Sequence, residues 1–334
     1  FFASPANIIS NGLDTFIFNF GSQIDYFKQI AFFFIMLPIK IGLQFSVSPY
    51  TWGFELTPSL VSGYFIFMGL LAIWLFIRGS KNLSIGIILF SIFFYFGLTN
   101  MPWLPLILIY SLIGYKIGGL SLALSIILGL SFITLTGVLP QALLSIYLCG
   151  IAVIVSFLIG SSLGIWAAHN DRVSAFMRPI NDTMQTMPSF VILIPFVMIF
   201  KIGEFTALLA IIAYAFVPAM RYTEHGLRNL PETVVEAAKM IGCSNSQLLW
   251  KVKIPLAFPV IMLGLNQTIM FGLAMLVIAA LVGTTGLGQL IYIGLSKANF
   301  GLGMIAGVSI AIIAILFDRV TQALKIKLEK NYNR

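Results

Sequence analysis

Long apolar runs recur along most of this chain, and the short segments between them hold nearly all of its charges. A helix needs roughly 20 mostly apolar residues to cross about 30 Å of hydrocarbon. Because lipid offers the backbone no hydrogen-bond partners, helices are the default way to cross it. Only 9% of the residues are charged, whereas a soluble domain has about 25%. The sequence therefore predicts an all-α, polytopic transmembrane bundle.

We expect about nine spans. They are 62–77, 82–99, 102–115, 118–137, 142–167, 186–201, 205–220, 260–282 and 303–317. Residues 28–45 are also apolar, but Pro38 and Lys40 interrupt them. We interpret that stretch as an interfacial helix rather than as a tenth span. The expected organisation is an N-terminal periplasmic or interfacial segment (1–60), an additional pair of transmembrane helices (61–100), a main transmembrane domain (101–324) and a cytoplasmic tail (325–334).

The basic residues predict the orientation, since lysine and arginine collect in cytoplasmic loops. They occur in alternate loops: Arg78 with Lys81, Lys116, Arg172 with Arg178, the segment 221–258, and the C-terminal tail. With an odd number of spans, the N-terminus lies outside and the C-terminus in the cytoplasm. The net charge of +8 is explained by this topology, and we expect no nucleic-acid partner.

Metal binding and catalysis find no support in the residue pattern. Cys149 and Cys243 have no second cysteine or histidine cluster at ligand spacing. His169 and His225 lie in predicted loops with no nucleophile set beside them. We predict no metal site and no catalytic residues, which argues against a membrane-embedded enzyme.

The longest polar insertion, 221–258, has the pattern of two short helices. Asn229 is a candidate N-cap, Pro231 suits a first turn, and Glu232 completes a capping box with Asn229. Gly242 is expected to end this first helix. A second box then pairs Ser244 with Gln247, and we expect the second helix to stop before Pro255. A hairpin with apolar faces needs a surface on which to dock.

The spacing within this hairpin resembles a known signature. Glu236, Ala237 and Ala238 are followed after three residues by Gly242, and after nine more by Val252, Ile254 and Pro255. This is similar to the EAA motif of ABC-importer permeases, EAA-x3-G-x9-I-x-L-P. The resemblance implies a type I importer permease (MetI-like) fold in which 229–255 is the coupling helix that engages a separate ATPase subunit. The chain itself has no GxxxxGK[ST] phosphate loop.

Further segments resemble one branch of that family. They are SSLGIWAA at 161–168, RPINDTMQTMPSFVILIPFVMIFKIG at 178–203, LNQTIMFGLAMLVIAALVGTTGLGQLI at 265–291 and FDRVTQAL at 317–324. Together they are similar to the permease subunit of glycine betaine/proline betaine importers. The resemblance implies a bacterial inner-membrane protein that transports a quaternary amine or compatible solute, with choline, trimethylamine N-oxide and dimethylsulfoniopropionate as further candidates. It also implies a cytoplasmic ATP-binding subunit that holds ATP and magnesium, a periplasmic binding protein, a second permease copy, and no cofactor in this chain.

Polar side chains at membrane depth are candidates for the substrate pathway, because they are expensive in lipid. They are Gln185, Thr186 and Pro188 before one span, and Asn266, Gln267 and Thr268 near the start of another. Interhelical hydrogen bonds are an equal alternative for these residues. Gly283, Gly286 and Gly288 fit either a gate or simple turns. For Asp182 we expect a local pair with Arg178.

The alternative function is an ion-coupled secondary transporter of small amines, which would use a carboxylate in mid-span. We expect every Asp and Glu to lie in a loop, in the tail or at the end of a span.

Overall fold

The computed structural model describes residues 3–45, 58–78, 84–88, 91 and 103–332. These residues are helical apart from short connections, and they include no strand. The helices are α1 (Ala3–Ala31), α2 (Leu37–Phe45), α3 (Pro58–Ile77), α4 (Trp103–Leu135), α5 (Leu139–His169), α6 (Asp171–Thr186), α7 (Ser189–Phe200), α8 (Glu204–Arg228), α9 (Glu232–Met240), α10 (Asn245–Gln247), α11 (Ile254–Ala279), α12 (Leu287–Ser296) and α13 (Phe300–Tyr332). The predicted all-α class is confirmed.

Helices α5, α8 and α11 form the centre of the bundle, and small residues let them approach closely. Gly160 and Gly164 of α5 face α8, where a Cβ on Gly164 would lie 2.6 Å from the carbonyl oxygen of Met220. On the other side of α8, Gly264 of α11 packs against Tyr222. Close packing of this kind holds helices together in lipid, where burial of apolar surface offers little driving force.

The number of spans differs from the expected nine. Among the described residues six helices are long and apolar enough to cross a membrane, or seven if the bent pair α6–α7 counts as one span. The predicted span 186–201 is the short second arm of that pair, which bends by 103°. The predicted span 82–99 lies mostly outside the described residues. The apolar run was predicted correctly, but its helix, Ser189–Phe200, has only 12 residues, whereas a span needs roughly 20.

The predicted spans 102–115 and 118–137 belong to one helical segment, α4, that folds back on itself. Gly119 has φ 76° and ψ −165°, a conformation that glycine adopts readily. Ile126 packs directly on Gly114, although a straight helix would separate these residues by about 18 Å. The arms 103–118 and 120–135 therefore lie side by side, with the turn where the sequence predicted a loop.

The N-terminal helices contact the bundle at the end where α5 and α8 begin. The Nζ atom of Lys28 donates a hydrogen bond to the carbonyl oxygen of Phe200 at 3.0 Å, and Lys40 pairs with Glu204. A π-helical turn, Phe32–Met36, joins α1 to α2, and Met36 is fully buried. The helical stretch Asn11–Leu43 is long and apolar enough to cross a membrane, so its interfacial position stays a prediction.

Candidate functional site

The hairpin 229–255 projects from the bundle between α8 and α11. Its first helix, α9, begins after Pro231. Pro231 occupies the N-cap position, but no side-chain hydrogen bond caps the helix there. The predicted cap is wrong: the side-chain amide of Asn229 instead donates to the carbonyl oxygen of His225 at 2.9 Å, at the end of α8. Asn229 therefore closes the preceding helix rather than opening the next one.

Gly242 ends α9 as predicted. Its φ is 87°. The N–H of Gly242 donates to the carbonyl oxygen of Lys239 at 2.9 Å, and the N–H of Cys243 donates to the carbonyl oxygen of Ala238 at 3.3 Å. These two bonds form a Schellman motif, in which the left-handed residue is usually glycine. A Cβ at Gly242 would meet no atom within 4 Å, so glycine is favoured here by the backbone conformation and not by a lack of space.

The second arm of the hairpin departs from the prediction at Pro255. Its capping box is confirmed, because the Ser244 hydroxyl accepts from the N–H of Gln247 and the Gln247 side chain accepts from the N–H of Ser244. The helix does not stop before Pro255, however, and continues into α11 as one stretch, Asn245–Val282. A π-helical turn, Leu248–Lys253, precedes the proline. This wider turn relieves the clash that a proline ring makes with the preceding helical turn.

The hairpin presents an exposed apolar surface around a charged residue. Met240 is 90% exposed, Ile241 84% and Trp250 64%, while Glu236 and Ala237 are also exposed. Ala238 and Leu248 are buried and hold the two arms together. Large apolar side chains exposed in a polar segment mark a surface for protein contact.

A polar cluster at the base of the hairpin joins three helices, and sequence analysis missed it. The carboxylate of Glu224 in α8 accepts from the Ser174 hydroxyl at 2.5 Å and lies 3.0 Å from Arg228 Nε. Arg228 also pairs with Asp171 at 2.8 Å and donates to the carbonyl oxygen of Ala167 at 2.7 Å. The spacing of Glu224 and Arg228, one helical turn apart, was the available signal.

The predicted pathway residues Gln185, Thr186 and Pro188 lie at the bend between α6 and α7. Pro188 is the N-cap of α7, and the Thr186 hydroxyl donates to the carbonyl oxygen of Asp182 at 2.9 Å. Asp182 pairs across to Arg221 of α8, so the predicted local pair with Arg178 is wrong. The bend is thus tied to α8 by an ion pair.

The second predicted group, Asn266, Gln267 and Thr268, lies in the first half of α11, and its members have different environments. Thr268 is fully buried, and its hydroxyl donates to the carbonyl oxygen of Gly264 in its own helix at 2.8 Å. The Asn266 amide instead donates to Asp318 Oδ1 of α13 at 2.7 Å, and its oxygen accepts from the Thr321 hydroxyl at 3.2 Å. Gln267 is partly buried. Asn266 therefore makes the interhelical bonds that the alternative predicted.

Asp318 lies in α13, one residue beyond the predicted span 303–317. The predicted span ended at 317, but α13 continues to Tyr332, and the candidate span covers Phe300–Leu328. Asp318 bonds Asn266, which lies twelve residues into α11, about 18 Å from its start. Its carboxylate also accepts two bonds from the Gln322 amide, at 2.8 and 2.7 Å. Asn266 and Gln322 line an opening of about 260 Å³.

Gly283 and Gly286 lie in the tight turn before the short helix α12, and Gly288 is the second residue of that helix. Gly283 has φ 80° and Gly286 has φ 131°. The N–H of Leu287 donates to the Ser145 hydroxyl of α5 at 2.8 Å, and Gly288 packs beneath the carbonyl oxygen of Leu276. Turn geometry and close packing account for these glycines.

Comparison with known proteins adds the family context. Residues 160–330 match the family model described as binding-protein-dependent transport system inner membrane component. The chain is 39% identical over 226 residues to the glycine betaine/proline betaine transport system permease protein ProW of Escherichia coli K12, a match that covers 68% of this chain and 64% of that relative. It is 37% identical over 237 residues to the glycine betaine transport system permease protein OpuAB of Bacillus subtilis 168, covering 71% of this chain and 84% of that relative.

The described helices also resemble a solved structure of the MetNI methionine ABC transporter in an inward-facing conformation. The TM-score is 0.49 at 20% sequence identity, and the match covers 55% of this chain and 93% of that chain.

Proposed function

Because the chain belongs to the family of binding-protein-dependent transport system inner membrane components, we propose that it is the permease subunit of an ATP-driven importer of a betaine or related quaternary amine. The observation that carries this proposal is the hairpin 229–255, which combines a Schellman turn at Gly242 with exposed Glu236, Met240 and Ile241. Such a surface fits a separate protein that binds the cytoplasmic face.

In the proposed complex, the partner of the hairpin is a cytoplasmic ATPase that holds ATP and magnesium. Two copies of this chain form the pathway, and a periplasmic binding protein delivers the substrate. If the bent pair α6–α7 counts as one span, the described residues contain seven spans. The N-terminus then lies outside and the C-terminus in the cytoplasm, in accord with the basic loops. This chain binds no cofactor of its own. Since Asn245–Val282 is one continuous helix, a displacement of the hairpin is transmitted directly to α11, and transport proceeds by alternating access.

The substrate class is inferred from two sources. Two relatives at 39% and 37% identity are named for glycine betaine or proline betaine transport. Within this chain, we place the route along the opening lined by Asn266, Gln322 and Lys325, where the carboxylate of Asp318 bonds to the first two. A carboxylate attracts a quaternary ammonium, which cannot donate a hydrogen bond, and the Lys325 ammonium in the same lining attracts the carboxylate of a betaine. Gln185, Thr186 and Pro188 remain proposed pathway residues at the α6–α7 bend.

The alternative, an ion-coupled carrier, would use a carboxylate inside a span, whereas Asp318 lies one residue beyond the predicted span 303–317. The alternative offers no role for the exposed hairpin, which the ATP-driven proposal explains. Uptake into vesicles that contain this chain alone, driven by a sodium or proton gradient, would establish the alternative instead.

The test is ATP-dependent uptake of radiolabelled glycine betaine into vesicles that contain the chain together with its ATPase and binding protein. Glu236→Lys is expected to reduce uptake at least tenfold and to release the ATPase during purification. Glu232→Lys is the matched control, because Glu232 is exposed one turn earlier on the same helix, and it should retain most of the activity. Full uptake by the Glu236→Lys variant contradicts the proposed coupling.

A further inference from the structure

An apolar groove lies between α2, the two arms of α4, α5 and α13, and it is lined by a different set of α13 residues from the opening of the proposed route. It has a volume of about 360 Å³. Its lining residues carry aliphatic or aromatic side chains or are glycine, and they include Leu106, Tyr110, Ile117, Leu143, Leu316 and Val320. A polar substrate such as a betaine finds no hydrogen-bonding partner among these side chains apart from the tyrosine hydroxyl.

The groove is elongated and faces the outside of the bundle. Leu106 and Ile117 both line it, and eleven residues of helix separate them by about 16 Å. Tyr110 and Ile113 on its wall are 44% and 48% exposed. Because α5 and α13 are long and apolar enough to be spans, an apolar opening on this side of the bundle faces hydrocarbon. An extended acyl chain matches both its length and its lining.

Two lysines lie at one end of this groove. The Nζ atom of Lys327 in α13 donates to the carbonyl oxygen of Lys116 in α4 at 2.9 Å, and both side chains are exposed. One helical turn before Lys327, Ala323 packs against Gly118, which lies two residues after Lys116. The groove residues Ile117 and Val320 adjoin this contact. One end of the apolar groove therefore lies beside the Lys327 ammonium and the backbone of Lys116.

We propose that this groove binds an anionic phospholipid, with one acyl chain between α4 and α13 and the headgroup phosphate at Lys116 and Lys327. Basic pockets between transmembrane helices on the cytoplasmic side bind anionic headgroups. The fold-back at Gly119 is what creates the site, because it places the second arm of α4 along the groove and Lys116 at its mouth. The site is independent of the proposed transport function.

Native mass spectrometry of the purified full-length chain in detergent tests this proposal. We expect dipalmitoyl phosphatidylglycerol to be retained at least tenfold more tightly than dipalmitoyl phosphatidylcholine. The double variant Lys116→Gln/Lys327→Gln should lose this preference, since each basic residue near an anionic surface contributes roughly fivefold. Lys251→Gln, which removes one exposed cation from the hairpin, should retain it.

Three further results decide between occupants. Equal retention of the two lipids by the unmodified chain overturns the proposal. Displacement of phosphatidylglycerol by millimolar inorganic phosphate or by glycerophosphoglycerol would show an anion site without a role for the acyl chain, and also overturns it. Val320→Trp, which fills the groove, should weaken lipid retention. If this variant changes the proportion of dimer while lipid retention is constant, the groove holds a second copy of the chain instead.

Discussion

The Nζ atom of Lys40 lies 2.5 Å from Oε1 of Glu204. Glu204 is the first residue of α8, and its carboxylate also accepts bonds from the Tyr147 hydroxyl at 3.0 Å and the Thr285 hydroxyl at 2.7 Å. One carboxylate thus joins the N-terminal helix α2 to α5, α8 and the turn before α12. The Lys40 and Glu204 side chains are only 20% and 12% exposed.

Lys40→Ala is expected to lower the apparent melting temperature of the purified chain by about 5 °C, because it leaves a poorly hydrated carboxylate without its cation. Differential scanning fluorimetry measures this. Lys297→Ala, which truncates an exposed lysine after α12, is the control and should melt like the unmodified chain. An unchanged melting temperature for Lys40→Ala would mean that the N-terminal helix is not held by this pair.

Gly242 offers a test of the hairpin turn in which side-chain size plays no part. Gly242→Asn should retain most of the transport activity, since asparagine tolerates a left-handed backbone. Gly242→Val should lose most of it, because a β-branched residue pays more than about 1 kcal/mol at φ 87°. ATP-dependent uptake is the readout. Equal activity of the two variants would show that the Schellman turn is dispensable.

The close contact of α5 with α8 predicts a contrast between two glycines of one helix. Gly164→Ala should destabilise the bundle by about 1 to 3 kcal/mol, because its Cβ would lie 2.6 Å from the carbonyl oxygen of Met220. Gly150→Ala in the same helix should be neutral or slightly stabilising, as a Cβ there meets no atom within 4 Å. Thermal unfolding in detergent compares them. A Gly164→Ala variant as stable as Gly150→Ala contradicts the packing.

Asp318 is predicted to act through its charge. Asp318→Asn retains the shape of the side chain and should reduce betaine uptake about tenfold, the effect of losing one charged interaction. Thr268→Val is the control, because that hydroxyl bonds only within its own helix, and its uptake should be nearly normal. Normal uptake by Asp318→Asn, with normal expression and melting temperature, excludes the carboxylate from the proposed route.

Much of this protein could be predicted from local sequence. Apolar runs predict helices because lipid cannot satisfy a free backbone, and the described residues are indeed helical. The turn at Gly242 and the capping box of Ser244 and Gln247 were predictable because both depend on residues a few positions apart. The family resemblance lay in the same hairpin, in the spacing from Glu236 to Pro255.

Other features depended on contacts between distant residues. The run 102–137 predicts apolar helix, but only the packing of Ile126 on Gly114 reveals that α4 folds back. Asn229 lies between α8 and α9 and is suited to cap either helix, but its side chain bonds to the C-terminal end of α8. Pro255 was expected to stop a helix, yet the helix continues through Pro255 because a π-helical turn precedes it.

The partners of the charged groups were decided by tertiary structure as well. Local spacing favoured Arg178 for Asp182, but the bend before α7 brings it to Arg221. Lys40 reaches Glu204, and Asn266 reaches Asp318, across 164 and 52 residues of sequence. In a low-dielectric bundle a buried charge must find a partner wherever packing brings one within reach. Sequence therefore identifies which groups need partners, while the arrangement of the helices selects them.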